Sequence, residues 1–155
     1  MPLRDDIVAH ARRYIDVRFT HQGRGGEGLD CLGLLLATAK DAGLVFETLS
    51  VTHIDVPNYN LRPDTTLLRQ KLERFLVPIG IEVLSPSDIV LLRVNGSPQH
   101  LAIITDYPMQ GELGMIHAYA PARAVIEHRY DEGWRQETYA AYRLPQVGLE
   151  FPART

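Results

Sequence analysis

Cys31, His100 and His117 have the types and the places in this 155-residue chain for nucleophilic chemistry. Cys31 is the only cysteine and follows Thr20 to Gly28, a stretch with four glycines in nine residues. It opens the apolar run Cys31-Leu-Gly-Leu-Leu-Leu-Ala37, whose spacing predicts a helix ending at Gly43. At a helix start the first-turn N–H groups and the positive end of the dipole favour thiolate over thiol. The same groups can stabilise the oxyanion formed when a thiolate attacks a carbonyl. His100 opens the run Leu101–Thr105 after Asn95-Gly96-Ser97-Pro98, and His117 lies in Met115–Tyr119 beyond a turn at Pro108–Gly114. Folding that hairpin about roughly residue 109 sets His117 within a residue or two of His100, on the same sheet face. A nucleophile, a base and a residue that orients the base are then present.

Other readings of the same residues stay open at this point. A lone cysteine is often a small buried hydrophobe. Cys31, His100 and His117 could also hold zinc, with Asp30 or His21 as fourth ligand, although no close pair such as His-Glu-x-x-His is present. One cysteine excludes an internal disulfide and a multi-cysteine zinc site. His10, His53 and His128 read as surface or loop residues, and Asp88 as a turn former at a strand start.

The elements that must position these residues divide the chain in two. Asp5 to Val17 reads as an amphipathic helix with Ile7, Ala11, Tyr14 and Ile15 on one face, and Thr20 to Gly28 as loop. After an irregular stretch with Pro57 and Pro63, a third helix is predicted from an Asp64 cap. It carries Leu67, Leu68, Leu72 and Phe75 on one face and stops before Pro78. Beyond Gly80 the runs Ile81–Leu84, Ile89–Val94, Leu101–Thr105, Met115–Tyr119, Ala124–His128 and Thr138–Leu144 predict an antiparallel meander. Helices first and sheet second define an α+β domain over residues 1–155, with a core of about 5–145 and a short C-terminal tail.

Composition narrows the function classes. An apolar share of 45% with 23% charged residues is that of a globular domain. A net charge of -3 gives no reason to expect nucleic acid as a partner. No run approaches the roughly 20 apolar residues that span a bilayer, so membrane insertion is not expected. The acidic start Met1-Pro2-Leu3-Arg4-Asp5-Asp6 is unlike a secretory signal, which leads to the expectation of synthesis and retention in the cytoplasm unless carried out.

Four pieces in order then resemble the NlpC family of papain-like cell-wall cysteine peptidases. They are Gly28-Leu-Asp-Cys31-Leu-Gly-Leu34, Pro86-Ser-Asp-Ile-Val-Leu91, His100-Leu-Ala-Ile-Ile104 and Ile116-His-Ala118. Phe19-Thr-His-Gln-Gly23 and the loop into Asp30-Cys31 are similar to the branch found in tailed phages and phage-derived gene transfer particles. The resemblance runs from about Ile7 to Leu144. It implies a papain-like domain with helices, one carrying Cys31, packed on a C-terminal antiparallel sheet. It also implies a triad of Cys31 as nucleophile, His100 as base and His117 as orienting residue. The substrate implied is the peptidoglycan stem peptide, cut at γ-D-glutamyl-diaminopimelate or neighbouring bonds, with no metal or organic cofactor. Tail-tip or hub proteins are the implied partners, with the chain built into a particle tail; a weak or inactive tail adaptor of the same fold is the alternative. Asp30, Phe19, His21 and Gln22 are the candidates for substrate or oxyanion contacts. Three positions depart from the pattern: Phe19 where many members have tyrosine, Leu32 where many have serine, and Ser87 where glycine is usual.

Overall fold

The computed structural model describes residues 4–25, 28–44 and 66–145. The expected Asp64 cap, the stretch with His53, Pro57 and Pro63, and most of the C-terminal tail lie outside the described residues, as does the side chain of Leu67. Helix α1 spans Arg4–Arg12 and is followed by a short hairpin of β1 (Arg24–Gly25) and β2 (Gly28–Leu29). Helices α2 (Cys31–Asp41) and α3 (Thr66–Phe75) complete the helical half. The sheet is formed by β3 (Val77–Ile79), β4 (Ile89–Val94), β5 (Ser97–Thr105), β6 (Gly114–Tyr119), β7 (Ala124–Arg129) and β8 (Thr138–Arg143). A five-residue helix, α4 (Glu132–Gln136), precedes β8.

The strand order is β3-β8-β4-β5-β6-β7, with antiparallel neighbours. β4 to β7 form the expected meander. β8, however, returns to pair with β4, and β3 lies outside it, so the sheet is not a simple meander. The expected strand at Ile81–Leu84 is a 3₁₀ turn over Ile81–Val83. Ile81 and Leu84, three apart, both meet one apolar cluster while Glu82 and Val83 face solvent, which is a helical and not a strand spacing. The first helix stops at Arg12 and not at Val17, because the chain then pairs along the sheet edge. Asp16 N–H donates to Val125 O, Val125 N–H to Val17 O and Phe19 N–H to Arg123 O, each at 2.9 Å. The Thr20 to Gly28 loop carries the small β1–β2 hairpin. β5 begins four residues earlier than expected, since Asn95 and Gly96, at φ of 53° and 81°, make a two-residue hairpin turn by themselves.

Alternation along the strands divides the apolar residues between two faces. Leu91, Leu101, Ile103, Ile116 and Ala118 pack under the helices with Leu35, Leu68 and Leu72. Val90, Leu92, Ala102, Ile104 and Met115 face the other way, under Leu84, Tyr130 and Trp134. Leu68 and Leu72 are fully buried, and each contributes roughly 1.5–3 kcal/mol of hydrophobic stabilisation. That anchors α3 on the sheet despite its charged outer face.

Ser87 explains one departure from the family pattern. Its φ is 82°, a left-handed conformation that an L side chain adopts at a cost, and glycine adopts freely. Its N–H is held by Ile104 O at 2.8 Å, so the conformation is fixed by the sheet. Ser87→Gly is expected to raise stability by about 0.5–1 kcal/mol, after the added unfolded-state freedom of glycine is subtracted. Urea denaturation measures this as a higher midpoint at an unchanged slope.

Candidate active site

Cys31 is the first residue of α2, and the preceding Asp30 is its N-cap. The Asp30 carboxylate is buried and its Oδ1 accepts from Gly33 N–H at 2.7 Å, so a cap stabilises the turn that presents the thiol. The loop before it is pressed against that turn. Gly23 O accepts from Asp30 N–H at 3.2 Å, and a Cβ on Gly33 would meet the same oxygen at 2.0 Å. A Cβ on Gly28 would meet Thr20 Oγ1 at 2.0 Å. The glycines at 23, 28 and 33 thus let three segments approach at backbone distance beside Cys31.

Phe19 bridges to Leu29 and packs, half-buried, against the cluster that includes Cys31. Its loop therefore lies beside the nucleophile candidate, as the sequence placed it. His21 is exposed and Gln22 half-buried in the turn at 20–23. Leu32 is fully buried in the helix-side core.

Helix α2 packs on β5 and β6. Cys31 shares a narrow gap with Leu101 and Ala102, the two residues after His100. Immediately before His100 the β4–β5 pairing slips: Leu92 pairs with His100 but Arg93 with Pro98, which leaves Gln99 as an extra residue. A bulge of this kind sharpens local twist and re-aims neighbouring side chains.

The β5–β6 register pairs Ile103 with Ile116 and Ile104 with Met115. Counted on, it sets His117 opposite Ala102, diagonal to His100 on the same face. The two rings are 5.0 Å apart, and His100 Nε2 lies 2.7 Å from His117 Nδ1. The structure brings these two candidates together as expected. It also adds a residue that sequence reading had set aside. His128 is not an isolated surface residue: its Nε2 is 2.8 Å from His117 Nε2, and its Nδ1 is 2.8 Å from Arg129 O. The β6–β7 register accounts for it, since Met115 pairs with His128 and His117 with Ile126. Tyr119 stacks on His117 at 4.8 Å, and Trp134 meets His117 edge-on at 5.2 Å. These rings screen the histidine pair from water, which strengthens hydrogen bonds within it.

The donors do not converge on a zinc position. Two imidazoles bound to one tetrahedral zinc at about 2.0–2.1 Å would hold their nitrogens roughly 3.4 Å apart, whereas these face each other at hydrogen-bond distance. Asp30 is occupied in its cap. Among the described residues no group of three or more His, Cys, Asp or Glu is placed to hold a metal ion. No described helix is long and apolar enough to cross a membrane.

Burial keeps the histidine pair uncharged. Desolvation pushes His100 from the ordinary 6.5 down to about 4. Desolvation, then repulsion from His100 and His128, pushes His117 to about 2. Both folded values lie below the unfolded one, so between pH 6.5 and 4 the unfolded chain binds protons that the folded chain refuses. Stability is therefore full above about pH 6.5 and falls as the pH drops. The His100 share is on the order of 3 kcal/mol and is lost by about pH 4, while the His117 share continues to fall below that. Urea midpoints measured from pH 7 to 4 are expected to show this slope, and the double variant His100→Gln/His117→Gln to flatten it.

No family model matches the chain, and no curated protein matches it. Solved structures do. One is an NlpC/P60 family protein from Bacillus cereus, with a TM-score of 0.65 and 20% identity over 92% of this chain. The chain spans 40% of that protein's length. Another is the NlpC/p60 domain of the peptidoglycan hydrolase SagA, with a TM-score of 0.59 and 20% identity, covering 91% of this chain and 98% of that one. A third is an N-acetylmuramoyl-L-alanine amidase from Bacteroides uniformis, with a TM-score of 0.55 and 13% identity, covering 92% and 99%. The chain has the papain-like fold of NlpC/P60 domains, with Cys31 in helix α2 and a six-stranded antiparallel sheet.

Proposed function

We propose that this chain is a cysteine peptidase that hydrolyses peptide bonds in peptidoglycan stem peptides, of the γ-D-glutamyl-diaminopimelate type. The observation that carries the reading is the set of contacts around one strand. Cys31, at the head of a capped helix, shares a gap with Leu101 and Ala102 of β5, and His100, the residue just before them, is hydrogen-bonded to His117, on an NlpC/P60 fold.

In this mechanism Cys31 Sγ attacks the scissile carbonyl carbon as its proton passes to His100. The backbone N–H groups at the start of α2 face the oxygen that becomes negative. His100 then gives the proton to the departing amine as the C–N bond breaks, leaving an acyl-enzyme. Water attacks that thioester with His100 again as base, which releases the acid and restores the thiol. Digestion of defined muropeptides, read by mass spectrometry, tests the reading and separates a peptidase from an amidase product. Cleavage is expected to survive EDTA or phenanthroline and to be lost with iodoacetamide. Loss of activity on chelation, with stoichiometric zinc in the protein, would reverse the choice.

The likeness of Phe19–Gly23 to the phage-tail branch supports a particle tail tip as the setting, with tail hub proteins as partners and local wall digestion as the role. Phe19 also favours a second reading, a tail adaptor that keeps the fold with little activity, because the ring carries no hydroxyl to donate to an oxyanion. One such donor contributes about 2.7–4 kcal/mol, or roughly 10²–10³ in rate. Phe19→Tyr is expected to raise kcat by up to about 10²-fold with little change in KM. No gain, together with a large loss in His21→Ala or Gln22→Ala, would assign the donor to the neighbouring turn.

A further inference from the structure

The three histidines form one chain of hydrogen bonds with a fixed end. The carbonyl of Arg129 can only accept, so His128 Nδ1 carries a proton and donates to it. In a neutral imidazole the other nitrogen is then an acceptor, so His128 Nε2 accepts from His117 Nε2–H. That leaves His117 Nδ1 as an acceptor, and it takes the proton of His100 Nε2–H. His100 Nδ1 is left with its lone pair. A base that must remove a thiol proton needs that lone pair, and the opposite tautomer would have to lose a proton before gaining one.

We infer that His128 is a positioning residue of the site: as acceptor for His117, it selects the His100 tautomer whose Nδ1 can take a proton from Cys31. This rests on reading Cys31 and His100 as nucleophile and base. His128 touches neither and acts through His117. Its own setting suits the role: it is half-buried, lies beside Trp134 at 5.7 Å and is pinned to the backbone of its own strand. Without it, His117 has no fixed partner for Nε2, and both tautomers of the His100–His117 pair become available.

The test joins a spectroscopic and a kinetic measurement on the full chain. Nitrogen-15 spectra of histidine-labelled protein are expected to show a proton on Nε2 of His100 and of His117, and on Nδ1 of His128. In His128→Phe, which keeps a ring against Trp134 but has no acceptor, the His100 and His117 signals are expected to become tautomer mixtures. Muropeptide kcat is then expected to fall by about 10-fold, the lower end of what is lost with the partners that orient metal-bound histidines, with KM within about twofold. His128→Gln, whose amide oxygen can accept from His117, is expected to restore both. A wild-type His100 bearing its proton on Nδ1 overturns the inference. So does His128→Phe with wild-type kcat, or His128→Gln impaired as deeply as His128→Phe. The spectra require no turnover, so a protein that cleaves no muropeptide would sink the peptidase reading while the tautomer assignment is still decided.

Discussion

Cys31→Ala is expected to abolish muropeptide cleavage while the protein remains folded. The reaction loses its only thiol nucleophile, and loss of a nucleophile costs on the order of 10⁶-fold where water cannot replace it. The structural cost is small by comparison, because the change removes one sulfur atom from a side chain at the head of a helix whose cap and core contacts remain. Cys31→Ser keeps nearly the same shape and should also be inactive, since a hydroxyl with this base is far less ionised than a thiol. His100→Ala is expected to lose roughly 10²–10⁴-fold. His117→Ala should retain more activity than His100→Ala, and His117→Gln more again, because an amide oxygen can still accept the proton of His100 Nε2. Hydrolysis by Cys31→Ala at the wild-type rate would end the mechanism. Inactive His117 variants beside normal His100 variants would exchange the two roles.

The parts of the site that could be read from sequence are those set by local rules. A glycine-rich loop followed by an apolar run at helical spacing placed Cys31 at a helix start. Counting across one hairpin placed His117 within a residue or two of His100, on the same face. The same count applied to the next hairpin, centred between Pro121 and Ala122, would have put His128 diagonal to His117. The signal is therefore present, although a histidine at the end of a strand reads as a surface or loop residue until that count is made. Trp134 had no such signal, since it comes from a one-turn helix after β7 and reaches the histidines only through tertiary packing. The order of the outer strands was equally non-local. Whether β8 follows β7 or returns to β4 depends on which edge offers the better apolar partners. Ala141 opposite Val90 and Tyr142 opposite Ile89 decide it in three dimensions. At Ile81–Leu84 the length of the apolar run suits a strand, while its spacing of three belongs to a turn.

Asp88 closes the turn before β4, as its place in the sequence suggests, its N–H donating to Ser85 O at 3.0 Å. It is also a fully buried carboxylate at the meeting point of helix and sheet, which its sequence position does not reveal. Its Oδ1 accepts from Arg4 of α1 at 3.1 Å and from Arg143 Nε of β8 at 2.9 Å. Its Oδ2 accepts from Arg143 at 2.8 Å and from Ser85 N–H at 2.8 Å. Arg4 is itself buried and also donates to Pro86 O at 3.1 Å, so one carboxylate ties the first helix, the turn before β4 and the last strand together. Such a cluster adds little net stability over an apolar one, yet removing one partner strands the other charges in a dry site. Asp88→Ala is therefore expected to cost about 3–5 kcal/mol, a large share of the roughly 5–15 kcal/mol that holds a domain folded. If the stranded Arg4 charge is the cause, Arg4→Met/Asp88→Leu should be less destabilised than Asp88→Leu alone, because Arg143 is part-exposed and can reach water. Urea midpoints for these three variants decide the matter. A loss below about 1 kcal/mol in Asp88→Ala, or a double variant as unstable as the single, would mean that water or other groups already solvate Arg4 and that Asp88 is only a local turn residue.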